Sequence, residues 1–229
     1  MFKRVSSFKK KWLPIAALAL GAATSGHAAA VYNEVGDAGQ TLATAQVLLG
    51  TGSIDAIRGT LDASSADMFA IYLTAGTAFS ATLTESSIAF NNFDSVLYLF
   101  DAFGRGLIAN DDDGDVGGPY STLSGYIPTV SGLYYLAVTG AGYTPVSGTS
   151  AIFPSLLGQG GNVAANPGAG PLTNWISTSA ESGRYEIVLT GASAVVPEPG
   201  SLLLVGAALG AVGLIRRRKT AASSTPATV

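Results

Sequence analysis

The stretch "SVLYLFDAFGRGLIAN", residues 95–110, carries the clearest signal for the fold of this chain. Residues Ser95–Asp101 are apolar on both faces, as in a central strand that is covered from two sides. "DAFGRG" is a glycine-containing turn, and "GLIAN" is a second short strand that ends at Asn110. The stretch therefore predicts two neighbouring strands inside a β-sheet.

Other runs of β-branched and aromatic residues continue this pattern on both sides. In "TAFSATL", Phe79, Ala81 and Leu83 fall on one face and small polar residues on the other. The runs lie at Ala56–Leu61, Met68–Thr74, Thr77–Leu83, Thr122–Ile127, Gly132–Gly140 and Arg184–Gly191. With residues 95–110 they make about eight short strands separated by Gly, Asp, Ser and Pro turns. This predicts an all-β, antiparallel sandwich or barrel.

Residues 141–182 differ in composition, being rich in Gly, Pro, Ser and Asn. A stretch of this length without clear strands is unusual in a compact domain. Three alternatives stay open: an ordered surface excursion, a binding loop, or disorder. In the first, the apolar residues Phe153, Leu156 and Trp175 pack against the sandwich.

The N-terminus has the features of a secretory signal peptide over residues 1–30. Basic residues from Lys3 to Lys11 precede the apolar run "WLPIAALALGAA", and small residues offer cleavage after Ala28 or Ala30. Signal peptidase is therefore an expected processing partner, and the folded domain is expected at residues 31–194.

The C-terminus, "VVPEPGSLLLVGAALGAVGLIRRRK" at residues 195–219, contains a second apolar segment. Ser201–Ile215 carries no charge and would reach about 22 Å as a helix, which is short for a transmembrane helix. Four basic residues follow it and, by the positive-inside rule, keep this end in the cytoplasm. The residues before Pro197 are then expected to face outward, and residues 220–229 form a polar tail.

These 25 residues resemble a PEP-CTERM sorting signal. The matching parts are Pro197, Glu198 and Pro199, the short apolar segment, and the basic cluster Arg216, Arg217, Arg218 and Lys219. The resemblance implies a Gram-negative bacterium and an exosortase that removes a temporary inner-membrane tether. It also implies a final location at the cell surface or outside the cell, in systems that produce exopolysaccharide and biofilm.

The composition of residues 31–194 excludes several functions. This segment holds three basic and fourteen acidic residues, a net charge of −11. Such a charge argues against nucleic-acid binding, which needs a basic surface. The chain has no Cys, and its single His, His27, lies at the expected cleavage site. The mature protein therefore lacks the residues of Ser-His-Asp and Cys-His catalysis and of ordinary zinc or haem sites.

Acidic residues crowd into "NDDDGDVGG" after the second of the two central strands. Asp111, Asp113 and Asp115 have the alternating spacing of a calcium loop. Asp94 and Asp101 flank the first of the two central strands. The loop is not an EF-hand, because Val116 and Thr122 stand where that motif needs Gly and Glu. Three interpretations stay open: a Ca²⁺ site, a solvated acidic loop, and a pair of catalytic carboxylates.

The same region resembles the bacterial pre-peptidase C-terminal domain over about residues 54–140. The matching positions are Asp67, Gly76, Asp94, Leu97, Leu99, Asp101, Gly104, Asn110, Asp111, Asp112, Ser131, Gly132, Tyr134 and Tyr135. The resemblance implies a jelly-roll-like β-sandwich that often binds calcium and is not catalytic.

The expected function is that of a structural or adhesive module of the exopolysaccharide matrix, without enzymatic activity. The alternatives are a carboxylate-based carbohydrate-active enzyme and an accessory domain that acts with a secreted protease.

Overall fold

The computed structural model describes residues 30–84, 94–112, 120–157, 159–177 and 181–196. Within these ranges the chain forms fifteen β-strands and no helix, as expected for an all-β protein. The strands are β1 Val31–Asn33, β2 Gln46–Val47, β3 Ala56–Leu61, β4 Ala66–Leu73, β5 Phe79–Thr84, β6 Ser95–Phe100, β7 Gly106–Asn110, β8 Thr122–Tyr126, β9 Gly132–Gly140, β10 Tyr143–Ser147, β11 Ser150–Ala151, β12 Val163–Ala164, β13 Asn174–Ser177, β14 Gly183–Thr190 and β15 Ala192–Ser193.

Two main sheets contain most of these strands. The first sheet has the order β1-β3-β14-β5-β8, and the second has the order β12-β7-β6-β9-β4-β15 with β2 also paired to β4. The β1–β3 and β2–β4 pairs are parallel, and the other strand pairs are antiparallel. Each of the eight runs found in the sequence corresponds to one strand, with ends that differ by at most two residues.

The core between these sheets follows from the alternation along their strands. In β5, Phe79, Ala81 and Leu83 are buried, while the residues between them are partly exposed. β14 alternates in the same way, with Tyr185 and Ile187 buried. These side chains pack against apolar residues of β4, β6 and β9 from the second sheet. One face of the first sheet thus covers the core, and its other face meets solvent.

β6 differs, because all six of its residues are buried. Leu97 and Leu99 point into the core between the two sheets. Tyr98 and Phe100 point to the other face, where a second cluster of buried side chains lies. The strand is paired on both edges, with β7 and β9, as expected for a central strand.

The described part of residues 141–182 supplies the cover for that second face. β10, β11 and β13 form a small three-stranded sheet. Phe153 and Trp175, which are 2% and 5% exposed, pack against Tyr98 and Phe100. The described part of this segment packs on the sheet, as the first of the three alternatives expects, and forms a third layer of the domain.

One polar residue of the N-terminal segment joins this layer to the rest of the fold. The indole N–H of Trp175 donates to the main-chain oxygen of Gln40 at 2.7 Å. The hydroxyl of Tyr143, whose ring stacks on Trp175, donates to the side-chain oxygen of Gln40 at 2.6 Å. Aromatic packing and two hydrogen bonds therefore hold the third layer in place.

Several expectations concern residues outside the described ranges. These are the signal peptide up to residue 29, the sorting motif from Pro197, the apolar segment Ser201–Ile215 and the polar tail. Within the described ranges, no helix has the length and apolar character needed to cross a membrane.

Candidate functional site

The antiparallel pairing of β6 and β7 brings part of the acidic stretch together. Leu97, near the start of β6, lies opposite Asn110 at the end of β7. Asp94 immediately precedes β6, and Asp111 and Asp112 immediately follow β7. These three carboxylates therefore lie at the same end of the sheet.

Together they form one wall of an open cleft of about 460 Å³, here called the acidic cleft. The opposite wall comes from the third layer and is largely apolar, with Phe153 buried and Leu157 exposed. The cleft thus combines negative charge on the sheet side with an apolar surface on the excursion side.

Burial and mutual repulsion both disfavour ionisation in the acidic cleft. Burial, followed by the charges of Asp94 and Asp112, raises the pKa of Asp111 to about 6. Burial also raises the pKa of Asp94, with smaller contributions from Asp112 and Glu181. The Oδ1 atoms of Asp94 and Asp111 are buried and have no hydrogen-bond partner in the described part of the chain.

Asn110 fixes the backbone around these carboxylates. This residue is fully buried, and its side-chain N–H groups donate to the main-chain oxygens of Asp112 at 3.0 Å and Gly161 at 2.8 Å. Its side-chain oxygen accepts from the main-chain N–H of Thr122 at 2.6 Å. On the other side, the main-chain N–H of Asp94 donates to Glu181 at 2.5 Å. The positions of the acidic residues are therefore set by contacts from four segments.

Asp101 does not join this group. It follows β6 at the other end, seven residues or about 23 Å of extended chain from Asp94. Its Oδ1 accepts the main-chain N–H groups of Phe103 at 2.8 Å and Arg105 at 2.9 Å, so it closes the turn before β7. Asp113 and Asp115, the two other candidate ligands, lie outside the described residues.

Asp101 instead borders a second open cleft of about 310 Å³, here called the aromatic cleft. Phe103, which is 75% exposed, contributes to its lining together with Tyr126 and Tyr134. The rings of Tyr126 and Tyr134 meet edge to face at 6.4 Å, and the Tyr134 hydroxyl donates to the main-chain oxygen of Val130 at 2.8 Å. The cleft therefore joins apolar ring surface to a carboxylate and hydroxyl groups.

A further group of acidic residues, the buried acid cluster, consists of Glu34, Asp37 and Asp67 beside Tyr185. The three carboxylates each place an oxygen within 4.8 Å of the others. Asp67 is only 1% exposed, and the Tyr185 hydroxyl donates to its Oδ2 at 2.8 Å. Burial above all, with the nearby charge of Glu34, raises the pKa of Asp67 to about 8.

Glu34 of this cluster is held by main-chain donors. Its two oxygens accept from the N–H groups of Ala38 at 2.9 Å and Thr60 at 2.8 Å. Gly59 lies against the cluster, and a Cβ atom there would collide with Glu34 and Tyr185. Sequence reasoning missed this group. The available signal was Asp67 in the apolar run of β4, because a carboxyl group buried in a strand needs a hydrogen-bond partner.

The C-terminal part of the sequence carries the clearest signal from known proteins. Residues 195–219 match the PEP-CTERM protein-sorting motif. The expected sorting signal is thereby confirmed with the same bounds. It indicates a protein that associates with the membrane during sorting, is processed by an exosortase, and is exported to the cell surface or the extracellular space.

No curated protein matches the chain. The resemblance of residues 54–140 to the pre-peptidase C-terminal domain therefore stays a prediction. The all-β architecture with stacked sheets is established by the structure, while the jelly-roll connection order is not.

Proposed function

We propose that this exported protein is a non-catalytic module of an extracellular polysaccharide matrix, and that Ca²⁺ bound in the acidic cleft stiffens it. The observation that carries the proposal is a pair of buried carboxylate oxygens, one on Asp94 and one on Asp111, that have no hydrogen-bond partner in the described ranges of the chain. A buried carboxylate without a partner costs free energy unless a proton or a cation compensates it.

The chemistry of the acidic cleft favours a hard cation. Ca²⁺ takes six to eight oxygen ligands from carboxylates, carbonyls and water in flexible geometry. Asp94, Asp111 and Asp112 supply three carboxylates, and Asp113 and Asp115 follow directly in the sequence. Because Asp94 contacts Glu181 through its main chain, a cation here would connect the sheet to the segment before β14.

The aromatic cleft is the proposed contact for the polysaccharide. Sugars present an apolar face of C–H groups and a rim of hydroxyls, which fits exposed rings beside hydrogen-bonding groups. Phe103 offers the exposed ring, while Asp101 and the half-buried Tyr126 offer polar partners. The net charge of −11 over residues 31–194 favours a neutral or cationic polymer over an anionic one.

A carboxylate-based carbohydrate-active enzyme is the second candidate. The raised pKa of Asp111 beside Asp94 favours it, since a glycosidase needs a carboxyl group that stays protonated near neutral pH. The aromatic side chains of that cleft argue against it. Tyr98 and Phe153 are 3% and 2% exposed, so they offer no ring surface on which a sugar could stack.

We also propose that the two main sheets form a jelly-roll-like sandwich of the pre-peptidase C-terminal kind. The support is the position of the matching residues. Asp111 and Asp112 directly follow β7, and Gly132, Tyr134 and Tyr135 of the Ser-Gly-x-Tyr-Tyr run lie in β9. An accessory role beside a secreted protease would need that protease in trans.

The deciding experiment is a thermal melt of the processed, exported protein in EDTA and again in millimolar Ca²⁺. Extracellular calcium modules have dissociation constants of about 0.1 to 1 mM. For a dissociation constant of about 0.1 mM, about 10 mM Ca²⁺ is a 100-fold excess and stabilises the folded state by about 2.7 kcal/mol, a shift of several degrees. We expect this shift in the wild type and its loss in the Asp111→Asn, Asp113→Asn double variant.

Asp101→Asn is the matched control, since Asp101 is acidic but lies at the other end of β6. It should keep the full Ca²⁺ shift. If Ca²⁺ does not raise the melting temperature of the wild type, the acidic residues form a solvated loop without a cation site. Hydrolysis of a polysaccharide that is lost in Asp111→Asn would instead favour the enzyme.

A further inference from the structure

The folded domain extends to the first residues of the sorting motif. The main-chain N–H of Val195 donates to Leu48 at 2.7 Å, and its main-chain oxygen accepts from Gly50 at 3.3 Å. One residue earlier, the N–H of Ala194 donates to Gly52 at 2.9 Å. The motif match begins at residue 195, so no free linker separates the domain from the sorting signal.

The length of chain between Val196 and the apolar segment limits how far the domain can stand from the membrane. Only residues 197–200 lie between Val196 and Ser201. The path from Val196 to Ser201 covers five residue steps, so even a fully extended chain spans at most about 18 Å. While the chain is tethered, the edge of the domain that holds Val196 therefore stays close to the lipid surface.

That edge exposes a group of apolar side chains, here called the tether-edge patch. Val35, Val47, Leu49 and Val196 are 77%, 44%, 62% and 60% exposed. Val47 and Leu49 flank the buried Leu48, so both point outward. Backbone contacts bring the four residues to the same edge of the domain. Leu49 forms a bridge with Val195, the residue before Val196, and the Gln46 side chain, next to Val47, makes two hydrogen bonds to the main chain of Val35.

We propose that the tether-edge patch rests on the periplasmic lipid surface of the inner membrane until the exosortase releases the domain. The proposal rests on the membrane tethering that the sorting motif indicates. Exposed apolar residues on a soluble domain often mark a contact surface, and here the short chain to Ser201 brings them to the membrane. Apolar side chains that reach the boundary between headgroups and acyl chains gain binding energy in proportion to the apolar area they bury there.

The charges beside the patch define the kind of membrane contact. Glu34 and Asp37 flank Val35 along the chain, and Arg58 is already paired with Glu186 at 3.0 Å. Attraction to anionic lipid therefore does not drive the contact. It relies on apolar side chains and on the tether, so it should form on neutral lipid and end when the tether is cut.

The test uses the full-length, uncleaved chain in phosphatidylcholine vesicles that carry a nitroxide quencher near the headgroups. The chain has no Cys, so a single introduced Cys can carry an environment-sensitive dye. Leu49→Cys and, as a second position, Val47→Cys report on the patch. Ser150→Cys, which is exposed on β11 in the third layer, is the matched control.

We expect the dye at positions 49 and 47 to be quenched at least twofold more strongly than the dye at position 150, with similar results in anionic vesicles. The processed protein without its tether should show no quenching at any position. Equal quenching at all three positions in vesicle-bound protein would overturn the docking. Failure of the full-length chain to float with the vesicles would overturn the tether itself, and the docking with it.

Discussion

The acidic cleft and the buried acid cluster hold carboxyl groups whose pKa values are raised chiefly by burial, yet they differ in what surrounds the oxygens. In the acidic cleft, Asp111 and Asp94 each leave one buried oxygen without a partner among the described residues. In the buried acid cluster, Asp67 receives the Tyr185 hydroxyl, and Glu34 receives two main-chain N–H groups. The first arrangement lacks donors, whereas the second supplies them.

This difference indicates different ligands for the two groups. An open cleft with unpartnered oxygens and like charges suits a cation from solvent. A cluster whose most buried carboxyl, Asp67, has a raised pKa suits a proton, because the neutral acid removes the charge that burial disfavours. If a proton occupies the buried acid cluster, substitutions at its residues should change how the stability of the protein depends on pH.

The largest effect is expected for Asp67→Asn, which keeps the shape and hydrogen-bonding capacity of a neutral acid. The folded-state pKa of Asp67 is raised to about 8 from 3.8, so its contribution to stability is present in acid and is lost as the pH rises. The loss amounts to at most about 1.4 kcal/mol per pH unit, or about 4 kcal/mol between pH 5 and pH 8.

Urea unfolding of wild type and variant at several pH values measures this effect. The stability of Asp67→Asn relative to wild type should increase steadily from pH 5 to pH 8 and change little above that. Other carboxyl groups titrate in both proteins and cancel in the difference. A constant difference across this range would mean that Asp67 is ionised in the folded protein. The buried acid cluster would then carry negative charge, as the acidic cleft is proposed to do.

Tyr185→Phe should have a smaller effect. The change removes the hydroxyl that donates to Asp67 at 2.8 Å and leaves a buried oxygen without a partner, which costs about 1 to 3 kcal/mol. Because this hydrogen bond lowers the pKa of Asp67, its loss should also move the pH dependence of stability to higher pH.

Tyr134→Phe is the matched control for this variant. Tyr134 is also nearly buried, but its hydroxyl donates to a main-chain oxygen of Val130 at 2.8 Å. It should lose stability without a change in the pH dependence. If both variants lose stability with identical pH profiles, the Tyr185 hydroxyl does not interact with a titrating group.

The strands of the sandwich were predictable because each carries its own signal. β5 and β14 alternate between buried and exposed residues, and β6 is apolar on both faces. The third layer gave no such signal, since its contacts are separate apolar residues in a Gly- and Pro-rich segment. The one signal in the sequence was β6 itself, because a strand that is apolar on both faces needs a packing layer on each side.

The candidate site was predictable only where pairing of neighbouring strands fixes it. Asp94 and Asp111 meet because β6 and β7 form an antiparallel pair. Asp101 was grouped with them by nearness in sequence, but the length of β6 separates it from them. Asp67 and Tyr185 are 118 residues apart, and only the packing of the two sheets brings them together.

The smallest effect is expected for Asp37→Asn. Asp37 is exposed, and its Oδ1 accepts the main-chain N–H of Gly39 at 3.1 Å, a contact that an asparagine oxygen can keep. Its charge makes only a minor contribution to the raised pKa of Asp67, after burial and Glu34. The variant should therefore change stability by less than about 0.5 kcal/mol and move the pH dependence only slightly toward lower pH.

A shift of a full pH unit would show that repulsion between carboxylates, and not burial, sets the proton affinity of Asp67. The buried acid cluster would then be a second site where a cation could replace the proton, and Ca²⁺ should stabilise the Asp111→Asn, Asp113→Asn variant through it.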